Sequence, residues 1–322
     1  MNFLRARKVC TAMAAVFFAM SSSIYAQAAD NYPTKPVQIV LPIAPGGDTD
    51  INARLFSKYL QEELGQSVAI INVDGAGGTI GMRRVKDAKP DGYTALFFHN
   101  ESLVPKIAGI SDIGLDDFKM AAIAIIDNST ILVTHKDAPF SDMKELDQYA
   151  VNNPDKLTFG MLIGGVSHII GAALNNELKS EATMIDIGGN SAKIVALRGK
   201  KVDFINVQYQ LVKDYLKSGE FINLGLLSPE RNPVIPDIAT TTEQGYPMNF
   251  DRFFYFAMPK DTPDEIVNKF SEAIKNVVNN KDYIEESKSF YLTPTYMNPQ
   301  EATSYVEDQY ESLLKYKDLL RN

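Results

Sequence analysis

Apolar runs and amphipathic segments alternate along most of the chain. Val37–Leu41 is a short apolar run that predicts a strand, and between Asp50 and Leu64 apolar residues recur with helical spacing before Gly65. Val68–Ile71 and Thr94–Phe98 predict two further strands, with a second helix between them. This βαβαβ order predicts a parallel sheet with helices on both faces.

A second α/β set follows the polar residues Asp127–Ser129. The further predicted elements are strands at Ile123–Ile126, Ile131–Val133, Leu157–Phe159, Thr183–Ile185, Val202–Ile205 and Phe221–Leu227, with helices at Asp142–Val151 and from Ser167. The C-terminal part is predicted to be helical, because Thr262-Pro263 and Asn298-Pro299 each have the pattern of a helix start.

Two successive α/β sets predict two lobes. The predicted boundaries place residues 29–128 and 250–322 in the first lobe and residues 129–249 in the second. The chain then crosses between the lobes twice, which makes a hinge, and a hinge between lobes encloses a cleft. We expect a small-molecule site in that cleft.

Residues 1–28 have the pattern of a secretory signal peptide. The basic segment Arg5–Lys8 precedes the apolar stretch Val9–Met20, which is shorter than the roughly 20 residues of a membrane-spanning helix. Ala26–Ala28 has the small-x-small pattern of a cleavage site, so we expect cleavage near Ala28 and export to a bacterial periplasm. The single cysteine, Cys10, would leave with the signal, and the mature protein would contain no disulfide.

Composition narrows the function classes. The 322-residue chain is 45% hydrophobic and 22% charged, as globular proteins are. Its formal net charge is −8, and removal of the predicted signal leaves 29 basic and 40 acidic groups, a net charge of −11. Binding to nucleic acid needs a concentrated basic surface, so we expect no nucleic-acid partner. Three histidines and one cysteine offer few metal ligands, and we expect no metal site and no cofactor.

Three glycine-rich turns each lie between a predicted strand and a predicted helix: Pro42–Asp50, Asp74–Gly81 and Gly160–His168. Glycine lets the backbone approach a ligand closely, and the helix behind each turn offers free N–H groups and the positive end of its dipole. The turns therefore predict sites for a carboxylate or phosphate; the alternative is that glycine only makes the turns tight. Ile80 breaks the G-x-G-x-x-G pattern in the second turn, and no phosphate-loop motif occurs.

Sequence patterns of catalysis are weak. Ser167 and His168 are adjacent, so they cannot readily face each other as nucleophile and base, and Ser167 is better explained as a helix N-cap. His99 and His135 are single histidines, for which core or surface roles are more common than catalysis. We therefore expect a binding protein rather than an enzyme.

A set of motifs spans nearly all of the chain after residue 28: Pro36–Arg54 (with Gly46-Gly47-x-x-Asp50-x-x-Ala53-Arg54), Gly75–Gly81, Pro90–Thr94, Gly188–Asp203 and Leu226–Gly245. Together these motifs resemble one family, the solute-binding proteins of tripartite tricarboxylate transporters, also called the Bug receptors. The resemblance implies a type 2 periplasmic binding protein fold, an α/β fold in which two lobes close on a small carboxylate. It also implies transient contact with the membrane subunits of such a transporter, and we expect a monomer.

The resemblance also implies which residues contact the ligand. In the family, two loops of the first lobe hold a carboxylate, and by position they are Ala44–Asp50 and Ala76–Ile80. The second lobe closes with the turn Gly164–His168 and the segment near Gly188-Gly189. The predicted ligand-binding residues are Ala44, Gly46, Gly47, Asp48, Thr49, Asp50, Ala76, Gly77, Gly78, Thr79, Ile80, Asn100, Glu101, Ser102, Gly164, Gly165, Val166, Ser167, His168, Asp186, Gly188 and Gly189.

Four acidic residues depart from the family pattern: Asp48, Asp74, Glu101 and Asp186. Each has a simple alternative explanation, since Asp48 suits a helix N-cap and the others suit a solvated surface. Taken together, they would make the cleft poor for a dianion. The hypothesis is that the ligand is amphoteric, with a positive centre beside its carboxylate as in an amino acid, or that it arrives with a cation.

Two other function classes stay open. One is an exported enzyme that acts on a carboxylate with Asp48 or Glu101 as base, which a perturbed carboxyl pKa and measurable turnover would favour. The other is a ligand-free interaction or scaffold module, which a filled or collapsed cleft would favour. A solute-binding receptor of this kind could also act as a solute sensor that reports to a sensor kinase, and the sequence does not distinguish that role from transport.

Overall fold

A computed structural model describes residues 31–318. The predicted signal peptide therefore lies outside the described residues. Within residues 31–318 no helix is long and apolar enough to cross a membrane. The chain folds around two β-sheets, and the halves built on them are called lobe 1 and lobe 2 below.

Lobe 1 contains a six-stranded sheet in the order β11-β4-β10-β3-β1-β2. Its strands are β1 (Val37–Leu41), β2 (Val68–Asn72), β3 (Thr94–His99), β4 (Phe118–Asp127), β10 (Arg252–Pro259) and β11 (Thr293–Met297). Strand β1 lies parallel to β2 and β3, whereas β10 runs antiparallel to both β3 and β4, and β11 antiparallel to β4.

Lobe 2 contains a five-stranded sheet in the order β7-β6-β8-β5-β9. Its strands are β5 (Thr130–His135), β6 (Thr158–Met161), β7 (Thr183–Asp186), β8 (Phe204–Gln208) and β9 (Phe221–Leu226). Strand β6 is parallel to β7 and β8, and β5 is antiparallel to β8 and β9.

Helices connect the strands and cover the sheets. The α-helices of the described residues are α1 (Asp48–Leu64), α2 (Thr79–Lys86), α3 (Val104–Ile107), α4 (Met143–Asn152), α5 (Val166–Glu177), α6 (Asn190–Arg198), α7 (Tyr209–Lys217), α8 (Asp264–Val278), α9 (Lys281–Lys288) and α10 (Pro299–Leu314). One face of the lobe 1 sheet packs against Phe56 of α1 and Phe270 of α8. The other face packs against Met82 of α2 and Val306 of α10.

The chain passes from the lobe 1 sheet to the lobe 2 sheet after Asp127, and it returns between Leu226 and Arg252. Asn232 in the returning segment donates from Nδ2 to Asn128 Oδ1 at 2.8 Å, which ties the two crossings together. This arrangement matches what the sequence suggested for the path of the chain. The predicted lobe boundaries themselves stay a prediction.

The two-lobed α/β fold class is confirmed, but three expectations about its elements were wrong. The lobe 1 sheet is mixed rather than parallel, because β10 lies between β3 and β4 and runs antiparallel to both. The C-terminal part is not wholly helical, since Thr293–Met297 adds an edge strand. Strand β4 is longer than the predicted run Ile123–Ile126. Helices α3, α6 and α7 and strand β10 were not predicted at all.

Candidate ligand-binding site

A cleft of about 680 Å³ lies between the two sheets and is lined by residues of both lobes. Lobe 1 contributes the loop between β1 and α1, part of the loop before α2, the end of β3 with its following turn, and the start of β10. Lobe 2 contributes the start of α5, the start of α6 and the end of β8. Because these are mainly strand ends and helix N-termini, the cleft is rich in backbone N–H groups.

The N-terminus of α1 opens into the cleft from lobe 1. Its N-cap is Gly47, which provides no side-chain cap for the first N–H groups of the helix. Asp50 lies beneath this loop rather than in the cleft: its carboxylate accepts from Gly46 N and Asn72 Nδ2, both at 3.0 Å, and pairs with Arg54. Asp50 therefore holds the loop in place.

A buried arginine forms one wall of the cleft. Arg252, the first residue of β10, pairs with Asp48 and lies 3.6 Å from Asp127, the last residue of β4. Burial alone would raise the pKa of Asp48, but the Arg252 guanidinium outweighs it and holds that pKa below its usual value. Asp48 is thus an ionised partner of Arg252, and it is the first residue of α1 rather than the N-cap predicted from the sequence.

Glu101 connects the two lobes across the cleft. It follows β3 in a short 3₁₀ turn that His99 caps, since Nδ1 of His99 accepts from Glu101 N at 3.3 Å. Its Oε1 accepts from the N–H of Val166, the first residue of α5, at 3.1 Å. Burial raises the pKa of Glu101, while the Val166 N–H and the nearby Arg252 guanidinium oppose that shift.

Helix α5 begins at this contact. Its N-cap is Gly165, where a Cβ would meet Glu101 Oε1, so a side chain at this position would displace the Glu101 carboxylate. Ser167 was predicted as the N-cap and is not; its Oγ instead accepts from Leu162 N at 2.8 Å and closes the loop before the helix. His168 Nδ1 accepts from Gly164 N at 3.4 Å.

Helix α6 brings a lysine into the same cleft. Its N-cap, Gly189, also lacks a side-chain cap, and Lys193 lies one turn further along with a side chain that is 2% exposed. The Lys193 ammonium donates to the carbonyl and side-chain oxygens of Asn206 at 2.7 and 3.0 Å. Burial lowers the pKa of Lys193 to about 7 despite the opposing charge of Glu101.

The structure brings thirteen of the predicted residues together in the cleft lining: Ala44, Gly46, Gly47, Asp48, Thr49, Gly77, Gly78, Asn100, Glu101, Val166, Ser167, Gly188 and Gly189. Nine predicted residues lie outside that lining: Asp50, Ala76, Thr79, Ile80, Ser102, Gly164, Gly165, His168 and Asp186. Several of these shape the loops, as Thr79 Oγ1 does by donating to Ala76 O at 2.9 Å. Their contact with a ligand stays a prediction.

The acidic residues that motivated the amphoteric ligand are mostly engaged within the protein. Asp48 pairs with Arg252, Asp74 caps its own loop at Gly75 N, and Asp186 accepts from Ile163 N outside the cleft lining. Glu101 retains one carboxylate oxygen that accepts no bond within residues 31–318. The cleft also contains two cations that the sequence analysis missed.

In the sequence, each of the two missed cations is a charged residue within or beside a run of otherwise apolar positions. Arg252 stands directly before the apolar run Phe253–Met258, where a charge at the start of a buried strand needs a partner. Lys193 shares a helix face with Ala196 and Leu197, at the i+3 and i+4 spacing of a buried stripe. A charged residue on such a face is a candidate for a role in a site.

Among residues 31–318 no group of three or more histidine, aspartate or glutamate side chains is arranged to hold a metal ion.

Comparison with known proteins agrees with this geometry. The family model described as tripartite tricarboxylate transporter family receptor matches residues 52–319. The chain belongs to this family. It is 30% identical over 284 residues to a UPF0065 protein of Bordetella pertussis, and the match covers 87% of this chain and 88% of that protein.

Two solved structures of similar fold contain small dicarboxylates. MatC from Rhodopseudomonas palustris with bound malate matches with a TM-score of 0.75 and 26% identity, over 90% of this chain and 100% of that one. R. palustris Rpa4515 with adipate matches with a TM-score of 0.78 and 25% identity, over 89% of this chain and 98% of that one. The protein is accordingly a solute-binding receptor with the periplasmic binding protein fold, in a family of binding proteins rather than enzymes.

Proposed function

We propose that this receptor captures a small carboxylate in the interlobe cleft, in the periplasm, and delivers it as a monomer to the membrane subunits of a tripartite tricarboxylate-type transporter. The observation that carries the proposal is the convergence of uncapped helix N-termini on one cleft: α1 from lobe 1 and α6 from lobe 2. Carboxylates bind at such positions because free N–H groups and the helix dipole both favour an anion.

The two similar structures support the carboxylate class. Malate and adipate are the ligands that their descriptions give. Both are dicarboxylates, and this chain offers buried positive charge on opposite walls of the cleft, Arg252 in lobe 1 and Lys193 in lobe 2. Arg252 is already paired with Asp48, so the backbone N–H groups near Gly47 are the better donors for a carboxylate on the lobe 1 side.

An amphoteric ligand is the second candidate, and Glu101 is the residue that favours it. Glu101 lines the cleft, its second carboxylate oxygen accepts no hydrogen bond among residues 31–318, and an ammonium or hydroxyl group of the ligand would donate to it. An acidic amino acid would then place its carboxylates on the two walls and its ammonium beside Glu101.

A thermal-shift panel on mature, ligand-stripped and refolded protein tests the function. The panel compares dicarboxylates, tricarboxylates, aromatic acids, amino acids and calcium. A ligand at 100 times its Kd adds about 2.7 kcal/mol of stability, which is a shift of several degrees for a chain of this size. Stabilisation by a carboxylate supports the receptor function, and the absence of any carboxylate that stabilises the protein contradicts it.

The variant Glu101→Gln separates the two ligand classes. We expect it to lower the affinity for an acidic amino acid by about tenfold relative to wild type, because the change removes a negative charge. For the same reason the affinity for a simple dicarboxylate should stay unchanged or increase. Glu181→Gln is the matched control, since Glu181 is an exposed glutamate of lobe 2 that lies outside the cleft lining. If a simple triacid binds more tightly than every amphoteric compound, the amphoteric proposal fails while the receptor proposal stands.

A further inference from the structure

We propose that Lys193 is the residue by which this receptor selects ligands with two anionic groups, and that the second carboxylate of the ligand is the counter-ion of its ammonium. The inference rests on the proposed carboxylate-binding function and specifies the chemistry of the lobe 2 side of the cleft.

Lys193 is a buried cation without a partner of opposite charge. Its side chain is 2% exposed, and both of its hydrogen bonds go to neutral oxygens of Asn206. Within residues 31–318 no carboxylate forms an ion pair with it. Buried lysines are rare unless they are paired, because the loss of hydration costs several kcal/mol.

The second buried cation of the cleft shows the contrast. Arg252 faces two carboxylates, Asp48 and Asp127, and its charge is compensated within the protein. Lys193 feels the negative charges of Glu101 and Asp48 and the positive charge of Arg252 from lobe 1, but none of these touches it. Lys193 on the lobe 2 side therefore has no compensating charge in contact with it among residues 31–318, and an anion that enters the cleft would supply one.

The local geometry suits a carboxylate at this point. An ammonium group has three N–H donors, and Asn206 takes two of those on Lys193, which leaves one for the cleft. The start of α6 lies beside it, with Gly188, Gly189, Asn190, Ser191 and Ala192 all in the cleft lining. A carboxylate here would accept from the lysine and from helix N–H groups together.

The ligand needs a second anionic group because the donors for its two carboxylates lie on opposite sides of the cleft. The first carboxylate of a ligand has donors on the lobe 1 side at the start of α1, so Lys193 on the lobe 2 side is left to pair with a second one. A monocarboxylate would leave the Lys193 charge unpaired. A dicarboxylate long enough to span the lobes would pair it, and lobe closure would bury the pair.

The test measures, by titration calorimetry, two pairs of probes that differ only in the second carboxylate: adipate against hexanoate, and malate against 2-hydroxybutyrate. We expect wild type to prefer the dicarboxylate of the pair that fits. Lys193→Met should lower the affinity for that dicarboxylate by about 30-fold or more and the affinity for the monocarboxylate by less than about threefold. Lys201→Met, the same change at an exposed lysine of lobe 2, should alter neither affinity.

Each result decides a different statement. If Lys193→Met loses affinity equally for both members of a pair, or loses none for the dicarboxylate, the proposed role of Lys193 is overturned. The proposal that the protein is a carboxylate receptor would still stand. Failure of wild type to bind any of the four probes and any acid of the thermal-shift panel would overturn the proposed function itself, and this inference with it.

A measurement on wild type covers the case in which Lys193→Met does not fold. The proton uptake that accompanies binding is obtained from calorimetry in buffers of different ionisation enthalpy. Between about pH 6 and pH 10 the dicarboxylate should take up more protons than the matched monocarboxylate, because only its second carboxylate raises the pKa of Lys193. Equal uptake for both would overturn the inference.

Discussion

Individual charges decide what the cleft can bind, and Lys193 makes its affinity depend on pH. Burial lowers the pKa of the free lysine to about 7, with Glu101, Asp48 and Arg252 as the charged groups that face it. A bound carboxylate favours the ammonium form and therefore raises this pKa. Between the free and the bound pKa values binding takes up a proton, so dicarboxylate affinity falls as pH rises above about 7, by up to tenfold per pH unit.

The other titratable groups of the cleft either also lower dicarboxylate affinity as pH rises or do not change it. Glu101 has a raised pKa and repels a dianion only once it is ionised, which also favours binding at lower pH. Burial holds the pKa of His99 well below its usual value, so it stays neutral. Calorimetry between about pH 6 and pH 9 measures the slope, and an affinity that does not change over this range contradicts the prediction.

Arg252 has the opposite role, because its charge is already compensated. Arg252→Met would leave the carboxylates of Asp48 and Asp127 buried beside each other without a cation. We expect a loss of about 3–5 kcal/mol in the free energy of unfolding, measured by urea denaturation, and partial recovery when Asp48→Asn is added.

Arg198→Met is the control for the Arg252 prediction. Arg198 pairs with Glu220 on the surface, where both side chains are well exposed, and its loss should lower the free energy of unfolding far less than Arg252→Met does. If Arg252→Met lowers the free energy of unfolding no more than Arg198→Met does, Arg252 does not stabilise the cleft through Asp48 and Asp127.

At the scale of elements, the packing of helices against strand ends positions the residues of the cleft. Gly81, in the first turn of α2, shows how close this packing is. A Cβ added at Gly81 would lie 2.7 Å from the Pro42 Cα and 2.8 Å from the Val73 carbonyl oxygen, both backbone atoms that cannot rotate away. Gly81→Ala should therefore displace α2 from the end of β1 and destabilise the protein by about 1–3 kcal/mol. It should also weaken ligand binding, since Pro42 and the loops beside it line the cleft.

The Gly81 prediction is measured by urea denaturation and by calorimetry with the ligand that the thermal-shift panel identifies. Arg84→Ala, on the exposed side of the same helix, is the control and should stay within about 0.5 kcal/mol of wild type. A stability loss in Gly81→Ala no larger than that of the control would show that the helix adjusts without cost.

Sequence periodicity predicted most elements because their patterns are local. Val37–Leu41 coincides with β1, and the glycine turns lie before helices as expected. The direction of β10 depends on where the chain re-enters a sheet formed more than a hundred residues earlier, which no local pattern records. The same limit applies to Arg252, whose partners Asp48 and Asp127 are distant in the sequence.

The whole molecule can bind a ligand because its lobes meet across a cleft, where direct contacts join one lobe to the other. Glu101 Oε1 of lobe 1 accepts from the Val166 N–H of lobe 2, and a Cβ on Gly164 would lie 2.8 Å from Ile110 Cδ1. The Glu101 carboxylate thus occupies a helix N-terminus that a ligand carboxylate could also use. This hydrogen bond joins the two lobes directly.

Truncation of Glu101 should therefore open the ligand-free receptor. A compact chain of this length has a radius of gyration of about 19 Å, and hinge opening should add roughly 1 Å to the radius of gyration that Glu101→Ala shows by solution X-ray scattering. Addition of a binding dicarboxylate should return the value to that of wild type, because the ligand then bridges α1 and Lys193. Asp74→Ala is the control, since Asp74 lies in the cleft lining but bonds within its own loop. An unchanged radius in ligand-free Glu101→Ala would mean that packing between the lobes, rather than this hydrogen bond, keeps the cleft closed.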